Sequence, residues 1–93
     1  MTLTKERIIE RIWKDTDQKK AEIQRTFESL VEIMKQTLAS GEDIMISGFG
    51  KFCVREKKAR RGRNPQTGEA MDLDGRKVVT FKCSGKLREK LNS

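Results

Sequence analysis

The spacing of apolar residues in the first forty positions predicts two amphipathic helices. The first helix begins after the capping hydroxyls of Thr2 and Thr4, and its apolar face carries Ile8, Ile9, Ile12 and Trp13. The polar run Asp15-Thr16-Asp17 interrupts this pattern and offers N-cap side chains for a second helix. The apolar face of that second helix is broader and comprises Ile23, Phe27, Leu30, Val31, Met34 and Leu38. Ser40-Gly41 is typical of a helix end.

After residue 41 the apolar pattern changes from a helical period to short strands separated by turn residues. The predicted strands are Ile44–Ile46, Phe49–Val54, Glu69–Leu73 and Val78–Lys82. Ser47-Gly48 forms a tight turn between the first two strands, and Asp74-Gly75 is predicted to form a bulge or a bend where the arm joins the body. Ser84 is the predicted N-cap of a short final helix, Gly85–Leu91.

This order of elements predicts a single α+β domain over residues 1–93. It has two N-terminal helices, a three-stranded antiparallel sheet with an extended β-ribbon arm, and a short C-terminal helix. We expect residues 1–54 and 75–93 to form a body and residues 55–74 to form the arm. A chain of 93 residues with 34% hydrophobic content buries a modest core by itself. The broad apolar face of the second helix therefore favours a two-fold dimer with its two arms side by side.

Charge is distributed unevenly between the two halves of the chain. Residues 1–50 hold 8 Lys and Arg against 9 Asp and Glu, whereas residues 51–93 hold 13 against 5. A near-neutral half joined to a basic half predicts a scaffold with a polyanion-binding surface. An acidic membrane would attract such charge too, but no stretch approaches the ~18 apolar residues of a membrane span. Charged residues also stand where a signal peptide needs an apolar run, so we expect a cytoplasmic protein with no membrane partner.

The basic charge is most concentrated in the segment KKARRGRNPQTGE, residues 57–69. Five cations precede its proline without an intervening acid, namely Lys57, Lys58, Arg60, Arg61 and Arg63. No core accepts so many unpaired charges, so the segment must lie in water or against a polyanion. A basic arm with the rigid ring of Pro65 near its tip suits a DNA groove, because cations neutralise phosphates and the ring can wedge between bases. The alternatives are a simple turn proline and a charged hairpin that resists aggregation.

Other chemistry has little support in the sequence. There is no His, and the two cysteines, Cys53 and Cys83, lie thirty positions apart, so we expect neither a zinc site nor another cofactor. Both thiols are predicted to be buried or half-buried in strands, and a reducing compartment argues against a disulfide. An enzyme is the least favoured class because no nucleophile and base are paired. An RNA-binding module is the other rival, but no aromatic residue interleaves the basic arm to stack on splayed bases.

Two motifs at their observed spacing resemble the bacterial histone-like DNA-binding family, which comprises the HU proteins and the integration host factor subunits. These motifs are Ile46-Ser47-Gly48-Phe49-Gly50-Lys51-Phe52 and Gly62-Arg63-Asn64-Pro65-Gln66-Thr67-Gly68-Glu69. The resemblance extends from Leu3-Thr4-Lys5 to Lys86-Leu87 and is strongest to the alpha subunits of integration host factor. Arg61, Thr16–Lys19 and Cys83–Gly85 depart from the alpha pattern. The alternative is an HU-like nucleoid protein with little sequence preference.

The resemblance implies an architectural protein of the nucleoid that bends double-stranded DNA through its minor groove. It also implies an intertwined dimer, either a homodimer or a heterodimer with a paralogous subunit. Pro65 resembles the family's intercalating wedge, Arg60 and Arg63 resemble groove-lining arginines, and Asn64 helps to shape the tip. The positions that resemble phosphate clamps on the body are Lys5, Ser47, Gly48, Arg76 and Lys86. The remaining predicted DNA contacts are Lys57, Lys58, Arg61 and Lys82.

Overall fold

The computed structural model describes the backbone of residues 1–93 and every side chain except those of Arg60, Asp72 and Leu73. The elements in chain order are α1 (Lys5–Asp15), α2 (Lys20–Ala39), β1 (Ile44–Ile46), β2 (Gly50–Lys57), β3 (Arg60–Arg63), β4 (Ala70–Leu73), β5 (Arg76–Cys83) and α3 (Gly85–Leu91). The chain divides into two compact units, Met1–Gln36 and Thr37–Ser93, and the boundary falls within the last turn of α2. The predicted α+β class, with its sheet and ribbon arm, is confirmed.

The N-caps predicted for α1 and α3 are present, whereas the N-cap predicted for α2 is wrong. The Thr4 hydroxyl accepts a hydrogen bond from the Arg7 amide at 3.4 Å, and the Ser84 hydroxyl accepts one from the Leu87 amide at 3.1 Å. The Thr16 hydroxyl instead donates to the Ile12 carbonyl oxygen at 2.8 Å, at the C-terminal end of α1. Because α2 begins only at Lys20, the run Asp15–Asp17 lies too far upstream to hold its N-cap position.

The three-stranded sheet has the order β1-β2-β5, and both pairs are antiparallel. The turn between β1 and β2 is closed by the Phe49 amide, which donates to the Ile46 carbonyl oxygen at 3.0 Å. Gly48 makes this turn possible because its φ is +79°, a conformation that a Cβ disfavours. β2 and β5 are longer than predicted, since their pairing continues from Gly50↔Cys83 to Lys57↔Arg76.

Beyond this sheet, β3 and β4 form the separate two-stranded ribbon of the arm. The two strands are antiparallel, and their register pairs Gly62 with Met71 and Arg63 with Ala70. The chain is crowded where β4 gives way to β5. A Cβ at Gly75 would lie 3.2 Å from the Lys57 carbonyl oxygen and 3.4 Å from the Ala59 amide nitrogen. The predicted bend at Asp74-Gly75 is therefore a point of close backbone approach.

Little apolar surface is buried within one chain. Among the described side chains, the buried apolar residues are Ile9, Ile23 and Cys53. On α2, Leu30 and Ile33 remain 52% and 58% exposed. In the sheet, the ring of Phe81 packs against those of Phe49 and Phe52 at 5.2 and 4.9 Å between centroids, yet Phe81 is still 41% exposed. Such surface is what a core shared between two chains would cover.

The two cysteines lie on paired strands but do not face each other. Cys53 pairs with Thr80, and Cys83 pairs with Gly50, so the thiols are three positions apart in register and on opposite faces of the sheet. Both thiols are free; Cys53 is buried and Cys83 is half-buried, as predicted.

Candidate nucleic-acid interface

The tip of the arm is a turn that closes on itself through Asn64. The Asn64 side-chain oxygen accepts a hydrogen bond from the Gln66 amide at 2.9 Å, and its carbonyl oxygen accepts one from the Gly68 amide at 2.8 Å. The Asn64 amide donates to the Glu69 carbonyl oxygen at 2.9 Å. Gly68 completes the turn with φ +72°. These bonds leave Pro65, which has no N–H to satisfy, exposed at the apex.

The predicted arm cations are on the surface where the structure describes them. Lys57 and Lys58 are exposed at the end of β2, and Arg61 and Arg63 are exposed on β3. Because side chains alternate along a strand, Arg61 and Arg63 project from the same face of β3. The side chain of Arg60, a predicted groove-lining residue, lies outside the described residues.

The sheet adds a row of cations that the sequence did not reveal as a group. The register pairs Lys51 with Lys82 and Lys57 with Arg76, and Arg55 lies between these pairs on the same face. We call these five residues the basic ladder. The eight β2 and β5 side chains on this face are all described, and none of them is acidic. Like charges directly opposite each other destabilise an antiparallel pair, so an anion placed against the basic ladder would relieve this repulsion.

One member of the basic ladder has a counter-ion within the chain. The Lys51 ammonium lies 3.7 Å from Oδ2 of Asp43, and both side chains are partly exposed. Oδ1 of Asp43 also accepts a hydrogen bond from the Val54 amide at 2.8 Å, which fixes the carboxylate beside the sheet. An exposed ion pair of this length contributes little to stability, so Lys51 can exchange Asp43 for another anion at small cost.

Three predicted clamp residues, Ser47, Gly48 and Lys86, come together with the predicted DNA contact Lys82 at one end of the sheet. Ser47, Gly48 and Lys82 line an open cavity of about 290 Å³ between the β1–β2 turn and the start of α3. A Cβ at Gly48 would lie 3.9 Å from Cδ of Lys86, so the lysine stem runs beside the turn. Arg76 is not part of this group, because it lies at the opposite end of β5, beside the arm.

Lys5, the remaining predicted clamp residue, lies in the unit formed by residues 1–36 and is engaged by a carboxylate. Its ammonium donates to Oε1 of Glu28 at 3.0 Å, and the Gln24 side chain donates to the same oxygen at 3.3 Å. These two hydrogen bonds, led by that from Lys5, and the charge of Lys5 hold the pKa of Glu28 below its usual value. Phosphate would therefore compete with Glu28 for Lys5.

A Glu28→Gln variant should lose less stability than the parent on acidification. Because the folded-state pKa of Glu28 is lowered, its ion pair stabilises the protein above the unfolded-state pKa and is lost as pH falls through the folded-state value. The measurement is melting temperature from neutral pH down to about pH 2. Glu22→Gln is the control, since Glu22 lies on the same helix and has no ion pair among the described residues. Equal acid sensitivity of the Glu28 variant and the parent would contradict this prediction.

The basic ladder, the exposed arm cations and the proline-tipped ribbon are features of a small basic DNA-binding protein. Residues 3–92 match the model of the family described as bacterial DNA-binding protein, and the chain belongs to this family. The predicted family resemblance is thus confirmed over nearly the whole chain.

Individual relatives and solved structures agree with this assignment. Integration host factor subunit alpha from Anaeromyxobacter sp. (strain Fw109-5) is 47% identical over 90 residues, covering 97% of this chain and 91% of the relative. The same subunit from Aliivibrio fischeri (strain MJ11) is 42% identical over 93 residues, covering 100% and 95%. An Anabaena HU in a cocrystal structure with DNA has a TM-score of 0.74 and 30% identity, covering 90% of this chain and 91% of that one. A mutant HU from Thermotoga maritima has a TM-score of 0.69 and 30% identity, covering 95% and 97%.

Sequence reasoning missed two members of the basic ladder, Lys51 and Arg55. Their signal was present in part, because they alternate with apolar residues and share the period of Lys57. The predicted strand ended at Val54, however, and its pairing with β5 was not known. The opposition of Lys51 to Lys82 depends on that register.

In the described residues no helix is long and apolar enough to cross a membrane.

Proposed function

We propose that this chain is an architectural DNA-binding protein that bends duplex DNA through the minor groove. The observation that carries the proposal is the basic ladder of the sheet, which leads into an exposed basic arm tipped by Pro65. Likeness to integration host factor alpha subunits, and to an HU cocrystallised with DNA, supports the same function. The protein would act in the nucleoid, where its duplex partner is found, and no catalytic role is proposed.

Electrostatics supplies most of the binding in this proposal. Each like-charged pair of the basic ladder costs the unbound protein about 0.2–1 kcal/mol, and phosphates placed against the ladder would remove that cost. Neutralising phosphates also releases counterions from the duplex, so affinity should fall steeply as salt rises. Contacts of this type carry no sequence information, and selectivity would come mainly from the energy of deforming the DNA.

The tip of the arm supplies the bend. A side chain that enters a base step must be rigid, apolar and exposed, and Pro65 meets all three conditions. The Asn64 hydrogen bonds hold the turn, so little conformational entropy is lost when the ring inserts. Unstacking a base step costs a few kcal/mol, and the wider contact that bent DNA makes with the protein offsets it.

The dimer places two such arms on one duplex. The exposed apolar side chains of α2 and the aromatic cluster of the sheet are the surfaces that a second subunit would cover. The partner is an identical chain or a paralogue.

The alpha-subunit likeness favours an integration host factor-like protein with a preferred site, and the HU structural likeness favours the alternative of little sequence preference. Selection of bound sites from random duplex DNA by this chain alone would separate the two.

Replacing Arg60 and Arg63 together with Ala tests the arm directly. Duplex affinity should fall, and the slope of log affinity against log salt should flatten by about 0.9 for each phosphate that the variant no longer neutralises. Melting temperature should keep the concentration dependence of the parent, because the substitution changes no apolar side chain. Single-stranded DNA and RNA serve as competitors to establish that the partner is duplex DNA.

A double substitution of Arg88 and Lys90 by Ala is the matched control for this experiment. Both residues are exposed on α3, so the control removes the same charge without altering the arm. If the arm variant bound as tightly as the parent, or no more weakly than the control, the arm would not be the binding element.

A further inference from the structure

Lys77, a cation of the basic half of the chain, uses its ammonium group in a contact inside the chain. Its ammonium donates a hydrogen bond to the carbonyl oxygen of Ala39 at 3.1 Å. In the pairing of β2 with β5, Lys77 lies opposite Glu56. This register places Lys77 on the opposite face of the sheet from the basic ladder. Lys77 is therefore turned away from the surface proposed to meet phosphate.

The acceptor of this hydrogen bond is the final carbonyl of α2. The Thr37 carbonyl oxygen accepts from the Ser40 hydroxyl at 2.7 Å and from the Glu42 amide at 3.2 Å, and that of Leu38 accepts from the Gly41 amide at 3.0 Å. Ala39 receives its bond from Lys77 instead. The last turn of α2, described in full, carries no basic residue of its own. Lys77 thus supplies the positive charge that the negative end of a helix dipole favours.

The donor of the bond stands at the root of the arm. Lys77 directly follows Arg76, whose pairing with Lys57 is the last rung of the three-stranded sheet before the ribbon begins. Gly75 precedes Arg76 on the side of the arm. A Cβ added at Gly75 would lie only 3.2 Å from the Lys57 carbonyl oxygen, so the two backbones are close together at this point. The Lys77 side chain is therefore a direct link between the end of α2 and the point from which the arm projects.

We infer that Lys77 is a positioning residue for DNA bending: it ties the arm root to the end of α2 without contacting phosphate. Loss of this tie leaves the cations of the arm and the basic ladder in place, so the electrostatic part of binding persists. It removes a constraint on the strand that carries the arm, so the direction of the arm is less well defined. This inference rests on the proposed function, because it concerns the bend that the two arms impose.

The test compares Lys77→Met with the same substitution at Lys82, a basic-ladder residue on the same strand. Both variants lose one ammonium and keep a long unbranched side chain. At saturating protein, energy transfer between the ends of a labelled duplex should report a smaller and broader bend for Lys77→Met than for the parent, with an unchanged salt slope. Lys82→Met should instead flatten the salt slope by about one unit. Lys77→Arg, which keeps a charged donor, should restore the parent bend.

Each result decides the inference. A Lys77→Met protein that melts at lower temperature but bends DNA as the parent does, measured well below its melting point, would make Lys77 only a helix cap. A salt slope flattened as in Lys82→Met would make it a phosphate contact. Either outcome overturns the inference and leaves the proposed function standing, whereas a parent that neither binds nor bends duplex DNA removes the proposed function itself. Should Lys77→Met not fold, Lys77→Gln, a neutral donor, enters the same comparison.

Discussion

Replacing Pro65 with Ala should reduce the DNA bend while leaving the salt dependence of binding unchanged. The substitution removes the only rigid ring at the tip of the arm and alters no charge, so phosphate contacts persist and the wedge is removed. The measurement is energy transfer between the ends of a labelled duplex of about 35 base pairs, which spans roughly three turns of 10–10.5 base pairs. Parent and variant are compared at saturating protein, so that weaker binding is not mistaken for a smaller bend.

Gln66→Ala is the matched control for the Pro65 variant. Gln66 neighbours Pro65 in the turn, and its hydrogen bond to Asn64 is made by its backbone amide, which the substitution retains. The control should bend DNA as the parent does. If the Pro65 variant did so as well, Pro65 would serve only to shape the turn, and bending would have to arise from charge neutralisation by the arm and the sheet.

Replacing Lys82 with Glu should stabilise the unbound protein and weaken its binding to DNA. Lys51 and Lys82 are register partners on two paired strands, and the change replaces a like-charged pair by an oppositely charged one. A gain of about 1 kcal/mol is the upper end of what such a pair provides, and in a domain of this size it raises the melting temperature by roughly 4–8 °C. In the complex the new carboxylate meets phosphate, so affinity falls and the salt slope flattens by at least about one unit.

Lys82→Met supplies the intermediate case for this prediction. It removes the repulsion without adding an attraction, so melting temperature should increase in the order parent, Met, Glu, and affinity should decrease in the same order. A Glu variant that is less stable than the parent would show that Lys51 and Lys82 do not repel each other in the free protein. Equal affinity of all three for duplex DNA would remove the basic ladder from the proposed interface.

Local features of the fold were predictable from the sequence. The hydroxyls of Thr4 and Ser84, the glycine of the β1–β2 turn and the Asn-Pro turn of the arm act on residues within a few positions of themselves. Their chemistry therefore requires no knowledge of the rest of the chain. Local chemistry gave a wrong prediction in one case. The Thr16 hydroxyl donates a hydrogen bond to a carbonyl at the end of α1 and does not cap the start of α2.

The features that the sequence did not reveal depend on pairing between distant positions. Lys51 faces Lys82 across two strands, and Lys77 reaches Ala39, thirty-eight residues earlier in the chain. No spacing rule joins such residues, since one shift of register would move every side chain to the other face. Charge counting identified the basic half of the chain correctly, but it could not separate cations that face outward from one that caps a helix.

The self-closed turn at the tip of the arm also bears on how this molecule can change over evolutionary time. Its hydrogen bonds join residues 64–69 to one another and to no part of the sheet among the described contacts. A replacement within this turn that preserves its hydrogen bonds therefore changes the side chains exposed at the tip at little cost to folding, as is usual for loops on a rigid scaffold. If the tip enters the duplex as proposed, its exposed side chains could thus change the preference for one DNA step over another while the body that supports them stays the same.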